Sequence, residues 1–188
     1  MIRSIGGLHP RIAATAYVDE SAQVIGDVVL GEHSSVWPNA VLRGDMHWIR
    51  VGDYTNIQDH CVLHVEENLY GVTLEDHITV GHRAILHGCY IERRCLIGMG
   101  SIVLNNARVG WGSIIAAGSV VPENTVIPPR SLVMGVPGTV RRATTDADLA
   151  KIDHGAEAYV RWKERYLAEL RNARAMVLGE ALRRTGRS

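Results

Sequence analysis

Surplus charge is the first thing this chain lacks: twenty basic and twenty acidic residues among 188 leave a formal net charge of zero. Nucleic acids and anionic membranes demand a concentrated positive field, so the balance argues against either as a partner. Arginines cluster only in "VRRA" and "LRRTGR" toward the C-terminus, a pattern read as a solvated helix face. There is no run of eighteen apolar residues, and no long apolar core in "MIRSIGGLHPRI". Neither a membrane span nor a secretion signal is predicted, and the protein is expected in the cytoplasm. Cysteine is scarce too. Cys61, Cys89 and Cys95 are odd in number and form no C-x-x-C pair, which argues against a disulfide framework or a zinc knuckle and points to buried thiols.

What the chain does have is a period of six. Ile85, Ile91, Ile97, Val103, Val109, Ile115, Val121, Ile127 and Val133 stand six residues apart. The period appears earlier as Ile12, Val18, Val24, Leu30, Val36 and Leu42, and again as Val51, Ile57 and Leu63. Six matches neither a 3.6-residue helix nor a two-residue alternation. It matches a short strand and a turn, repeated, with one aliphatic anchor per face pointing inward. Three faces close a triangular coil, and stacked coils place strand on strand at about 4.8 Å. Such coils bury their anchors only against neighbours, so several are needed. The expected fold is a parallel β-helix over residues 1–140, interrupted by a loop insertion near 65–78 where "HVEENLYGVTLEDHITV" breaks the hexads.

Residues 141–188 change character. Ile152, Ala156, Tyr159, Tyr166, Leu170, Ala173 and Val177 recur at helical spacing, predicting an amphipathic helix packed along the outside of the coils. Thr145 and Asp148 supply a capping signal, and His154-Gly155 is expected to divide a short helix from a long one. Trp162 and Tyr166 are expected to pack.

Nine histidines are present, and three fall into register with the repeats. His64 follows the anchor Leu63, and His87 follows Leu86 where the phase slips by one residue. Their separation is one coil plus about five residues of loop, so the two rings are expected side by side on adjacent coils. His82 lies five residues before His87, a span of roughly 16 Å of extended chain that includes a corner. Zinc needs its imidazole nitrogens at about 2.0–2.1 Å from one point. If all three bind one ion, His82 is expected from a neighbouring subunit, and a threefold trimer would supply three such sites.

"LRGD", "NIQDHCVLH", "VGHRAILHG" and "LIGMGSIV" occur in that order between Pro10 and Tyr166. On these motifs the chain resembles the γ-class carbonic anhydrases and their trimeric hexapeptide-repeat relatives. The resemblance implies a left-handed helix and a homotrimer with a divalent metal, zinc or alternatively iron or cobalt, at each interface. By the same resemblance, His64 and His87 are ligands from one subunit and His82 from the next, with Arg43 and Asp45 an intersubunit ion pair. Gln58 and Asp59 would hydrogen-bond the nucleophilic water and its surroundings, Asn56 would lie near bicarbonate or CO2, and Tyr159 would reach toward the site. The implied activity is that of a lyase: hydroxide formed on the metal near neutral pH hydrates CO2 reversibly to bicarbonate.

The chain departs from the family's archaeal pattern at the exit of the proton. Met46 stands where a glutamate follows the "RGD" aspartate, and the acidic loop is short, leaving Glu66 or Glu67 as substitutes. A non-catalytic metal-binding trimeric scaffold is therefore one alternative function. An acyl-CoA-dependent acyltransferase, a common occupation of hexapeptide repeats, is another.

Overall fold

The computed structural model describes the backbone of residues 1–184 and the side chains of residues 1–173; Val177 and the arginines of "LRRTGR" thus lie outside the described side chains. Short parallel strands stack into a three-faced β-solenoid. The first face carries the anchors Val24, Leu42, Leu63, Leu86, Val103 and Val121, and the second Leu30, Val51, Leu74, Ile91, Val109 and Ile127. On the third, seven parallel rungs run from Val18 to Val133, and Thr139–Ala143 adds an antiparallel strand at the end. From Val24 and Leu30 to Val133 these anchors are buried and form one continuous core.

The hexad reading holds with one correction. Ile85 faces outward and Leu86 inward, 38% and 0% exposed. On the first face successive registered anchors Leu42, Leu63, Leu86 and Val103 are 21, 23 and 17 residues apart instead of 18. The coils absorb three extra residues after "RGD" and five after His64, and then lose one between Leu86 and Ile91. The insertion is confined to about 65–71, closed by a Glu66–Tyr70 bridge, because Val72–Leu74 is already paired within the second face.

Corners are made by left-handed residues three positions before an anchor. His60 and Arg83, at φ of 59° and 62°, turn the chain into the strands that end at His64 and His87. Such φ values are uncommon without glycine, and they let each strand lie flat on the last.

The helix α1 (Asp146–Arg184) is continuous, so His154-Gly155 divides nothing. Leu149, Ile152 and Ala156 are buried, and a Cβ on Gly155 would stand 3.5 Å from Thr79 Oγ1 on the third face; this packing carries the helix past a residue of poor propensity. Thr145 Oγ1 accepts from the Asp148 amide at 3.2 Å while Asp148 Oδ2 accepts from the Thr145 amide at 2.9 Å, the reciprocal cap its spacing predicts. Arg94 clasps the helix with two hydrogen bonds of 2.7 Å to Asp153. Tyr166 packs edge-on against Trp37, but Trp162 is half exposed. Among the described residues no helix is long and apolar enough to cross a membrane.

Among the described residues α1 packs on the third face, and none covers the first. From the second coil on, its outward position before each anchor is aliphatic, Val41, Val62, Ile85, Ile102 and Val120, with Val62 and Ile85 exposed; on the first coil it is Gln23.

Candidate metal centre

Two clusters of polar side chains border that aliphatic face. At its trailing edge the strands Val62–His64 and Ile85–His87 pair in register, His64 opposite His87. The ring centroids are 5.1 Å apart and His64 Nδ1 lies 3.1 Å from His87 Nε2. Asp45, on the bulge that follows "LRG", places Oδ1 3.2 Å from His64 Nε2 and accepts from Arg43 Nη1 at 2.7 Å. His87 Nδ1 meets Asn105 Oδ1 at 2.6 Å, and Asn105 Nδ2 donates to Glu66 at 3.0 Å. Burial, followed by the Arg43 charge, depresses the His64 pKa below the ordinary histidine value despite Asp45. Burial opposes ionisation of Asp45, but hydrogen bonds from Arg43 and His64 outweigh it and hold the carboxyl below the usual range.

At the leading edge the turns after the third face carry the second cluster. His82 Nδ1 pairs with Asp59 Oδ2 at 2.8 Å, and the His82 amide donates to Gln58 Oε1 at 3.2 Å. Gln58 Nε2 donates to Asn56 Oδ1 at 3.1 Å and Asn56 Nδ2 to Thr79 Oγ1 at 2.9 Å. Gln58 and Asn56 are buried. From α1, Tyr159 lines an open groove of about 330 Å³ together with Trp37, Asp59, Trp162 and Tyr166. Burial, and then the Asp59 carboxylate, raise the Tyr159 pKa above that of an ordinary phenol.

Among the described residues no three His, Cys, Asp or Glu side chains of the chain converge as a metal-binding group. His64 and His87 meet; His82 stands on the other edge. The three cysteines are buried thiols pushed up to about 12 by burial.

The bacterial transferase hexapeptide family, described as six repeats, matches residues 88–123. The Escherichia coli protein YrdA is 40% identical over 173 residues, covering 89% of this chain and 94% of its own. A Geobacillus kaustophilus protein named carbonic anhydrase is 41% identical over 168 residues, covering 89% and 92%. The chain belongs to the γ-class carbonic anhydrase-like family. Among solved structures, a Bacillus cereus protein provisionally named an acetyltransferase matches with a TM-score of 0.86 and 41% identity, covering 88% of this chain and 95% of that one. Names among γ-class-like relatives and neighbours thus divide between lyase and transferase.

Of the residues that the γ-class resemblance singles out, Arg43, Asp45, His64 and His87 share the trailing edge and Asn56, Gln58, Asp59, His82 and Tyr159 the leading one. Arg43 and Asp45 pair within the single chain. Among the described residues Glu67 is exposed on the loop and makes no hydrogen bond or ion pair with either cluster, whereas its neighbour Glu66 reaches the histidines through Asn105. Asn105 escaped the sequence reading: its partners lie 18 and 39 residues back, beyond any local motif.

Proposed function

We propose that the chain assembles as a cytoplasmic homotrimer in which His64 and His87 of one subunit and His82 of the next hold a divalent cation, zinc, iron or cobalt. This centre hydrates CO2 reversibly to bicarbonate. The observation that carries the reading is the placement of the two clusters at opposite edges of one uncovered aliphatic face. A second copy of the chain packed on Val62 and Ile85 buries that face and brings one subunit's trailing edge to another's leading edge.

The donor set fits a cation. Carboxylates only accept, so Asp45 calls for a proton on His64 Nε2, which leaves Nδ1 as a lone pair 3.1 Å from His87 Nε2. His87 Nδ1 faces the Asn105 carbonyl, which leaves Nε2 as a second lone pair, and two facing lone pairs need either a proton added to one of the two rings or a cation between them. Burial disfavours the proton on His64, and a cation serves both lone pairs at once. At the other edge Asp59 takes the Nδ1 proton of His82 and turns Nε2 outward, the usual way in which a carboxylate orients a ligand.

When bound, the cation supplies the Lewis acidity that makes water a nucleophile near neutral pH. The protein does the rest. Gln58, locked between Asn56 and the His82 amide, is a preorganised, non-titrating group that aligns the attacking water. Asn56 fixes Gln58 and lines the substrate side. Tyr159 and its aromatic neighbours restrict bulk water beside Asp59, and Arg43 holds Asp45 against His64. Glu67, exposed on the loop at the trailing edge, passes the product proton to solvent.

The test is stopped-flow CO2 hydration by protein of assayed metal content, loaded with zinc, iron or cobalt, beside His82→Ala. Metal-dependent hydration that vanishes in His82→Ala is expected. Full metal occupancy without hydration in any preparation would move the assignment to a metal-binding scaffold. Saturable coenzyme A binding without metal uptake would favour the transferase names of the structural neighbours.

A further inference from the structure

We infer that Asn105, held by Glu66, is a positioning residue that selects the tautomer of His87 and thereby its competence as a ligand. The inference rests on the reading of His87 as a metal ligand. It follows from the order in which donors and acceptors must be satisfied. The Glu66 carboxylate only accepts, so the Asn105 group 3.0 Å from it must be the amide NH2. That settles an orientation that an isolated asparagine leaves open. The other end of the amide is then the carbonyl, 2.6 Å from His87 Nδ1. A carbonyl only accepts, so Nδ1 carries the proton. In a neutral ring the lone pair is consequently on Nε2, the nitrogen that faces His64. One carboxylate on the loop after His64 thus sets an amide on a later coil, and the amide sets an imidazole between them.

The backbone makes room for this relay. Gly88 has a φ of 55°, and a Cβ there would stand 2.4 Å from Asn105 Oδ1. The glycine after His87 thus serves both the left-handed turn and the approach of the asparagine carbonyl. Glu66 enters because the five-residue insertion carries the chain outward beyond His64 and back.

Two readouts on the full-length protein separate the parts of this claim. The first is the tautomer of His87 in metal-free protein, from two-bond 15N–1H correlations on histidine-labelled samples. The second is Co2+ affinity by chelator competition, with the visible spectrum of the Co2+ form. Wild type is expected to show the Nδ1–H tautomer at His87, and Asn105→Ala a mixture, with Co2+ binding weakened about 10–100-fold and an altered spectrum. Asn105→Asp alone keeps an acceptor toward Nδ1 but sets a second carboxylate against Glu66, so it is paired with Glu66→Gln, whose amide can donate to it; the double variant should restore the tautomer and most of the affinity. Glu66→Ala should give an intermediate loss. Unchanged tautomer and affinity in a folded Asn105→Ala protein would overturn the inference and leave the metal reading intact. Failure of wild type to take up Co2+ would overturn the metal reading, and the inference with it, even with the tautomer as described.

Discussion

The two edges of the first face carry the same functional group in different states of readiness. At the trailing edge His64 and His87 end paired strands, and His64 and Asp45 expose only 12% and 18% of their side chains. At the leading edge His82 sits on a turn, with 40% of its side chain exposed and 37% of that of Asp59. One edge is assembled by the chain itself, through strand register and hydrogen bonds that reach across coils. At the other, the buried Asn56–Gln58 pair is likewise tied across coils, but the His82 ring itself is held by a single carboxylate and presented to solvent. On the proposed assignment a monomer binds metal weakly, because neither edge alone offers three ligands.

The largest expected effect comes from removing a histidine. His87→Ala and His82→Ala should each lower metal affinity by more than the ~10–100-fold that a ligand's hydrogen-bond partner contributes. Equilibrium dialysis checks this, and wild-type thermal stability of metal-free His82→Ala would confirm that its exposed edge adds nothing to the fold. Metal retained by both variants would break the comparison.

Next is the core behind the assembled edge. Leu63 is fully buried directly before His64, and Leu63→Ala should cost about 2–5 kcal/mol in denaturant unfolding. Loss below 1 kcal/mol would mean that the rungs relax more freely than the stacking implies. Asp59→Ala should leave stability nearly unchanged yet weaken metal binding by about 10-fold or more, separating the edges by readout.

The thiols sharpen the picture of a sealed interior. With pKa values near 12, thiolate is on the order of 0.01% at pH 8. Cys61, Cys89 and Cys95 should resist a thiol reagent in native protein and all react after unfolding.

The smallest effect concerns the helix that lines the leading edge. The hydrogen bonds from Arg94 hold the Asp153 carboxyl below its ordinary range. A group with a depressed folded pKa stabilises fully above its unfolded value, about 3.9, and loses that contribution as pH falls through the lower folded one. Aromatic fluorescence from the Trp37–Tyr159 cluster should therefore change below about pH 4. Asp153→Asn should show the loosened signal already at neutral pH.

Much of this arrangement is legible in the sequence because a solenoid makes sequence distance a spatial address. The aliphatic period defines the rungs, and the spacing of His64 and His87 announces their adjacency once a coil and a loop are subtracted. The misplaced anchor Ile85 shows the limit of the period: a coil shortened by one residue shifts inward pointing to Leu86. Gly155 shows another, since packing of Ile152 and Ala156 against the third face overrides local propensity. Asn105 shows a third. Its role exists only through contacts with coils already laid down, and an asparagine in "LNNA" carries no local mark of them.

The uneven coils have a consequence for how such a protein changes over generations. Extra residues enter and leave at corners, while the rungs on either side remain in register. A lineage can therefore lengthen, shorten or recharge the segment after His64 and pass the result through selection without renegotiating the fold. Persistence of the fold is thereby decoupled from the length and charge of the segment that borders His64.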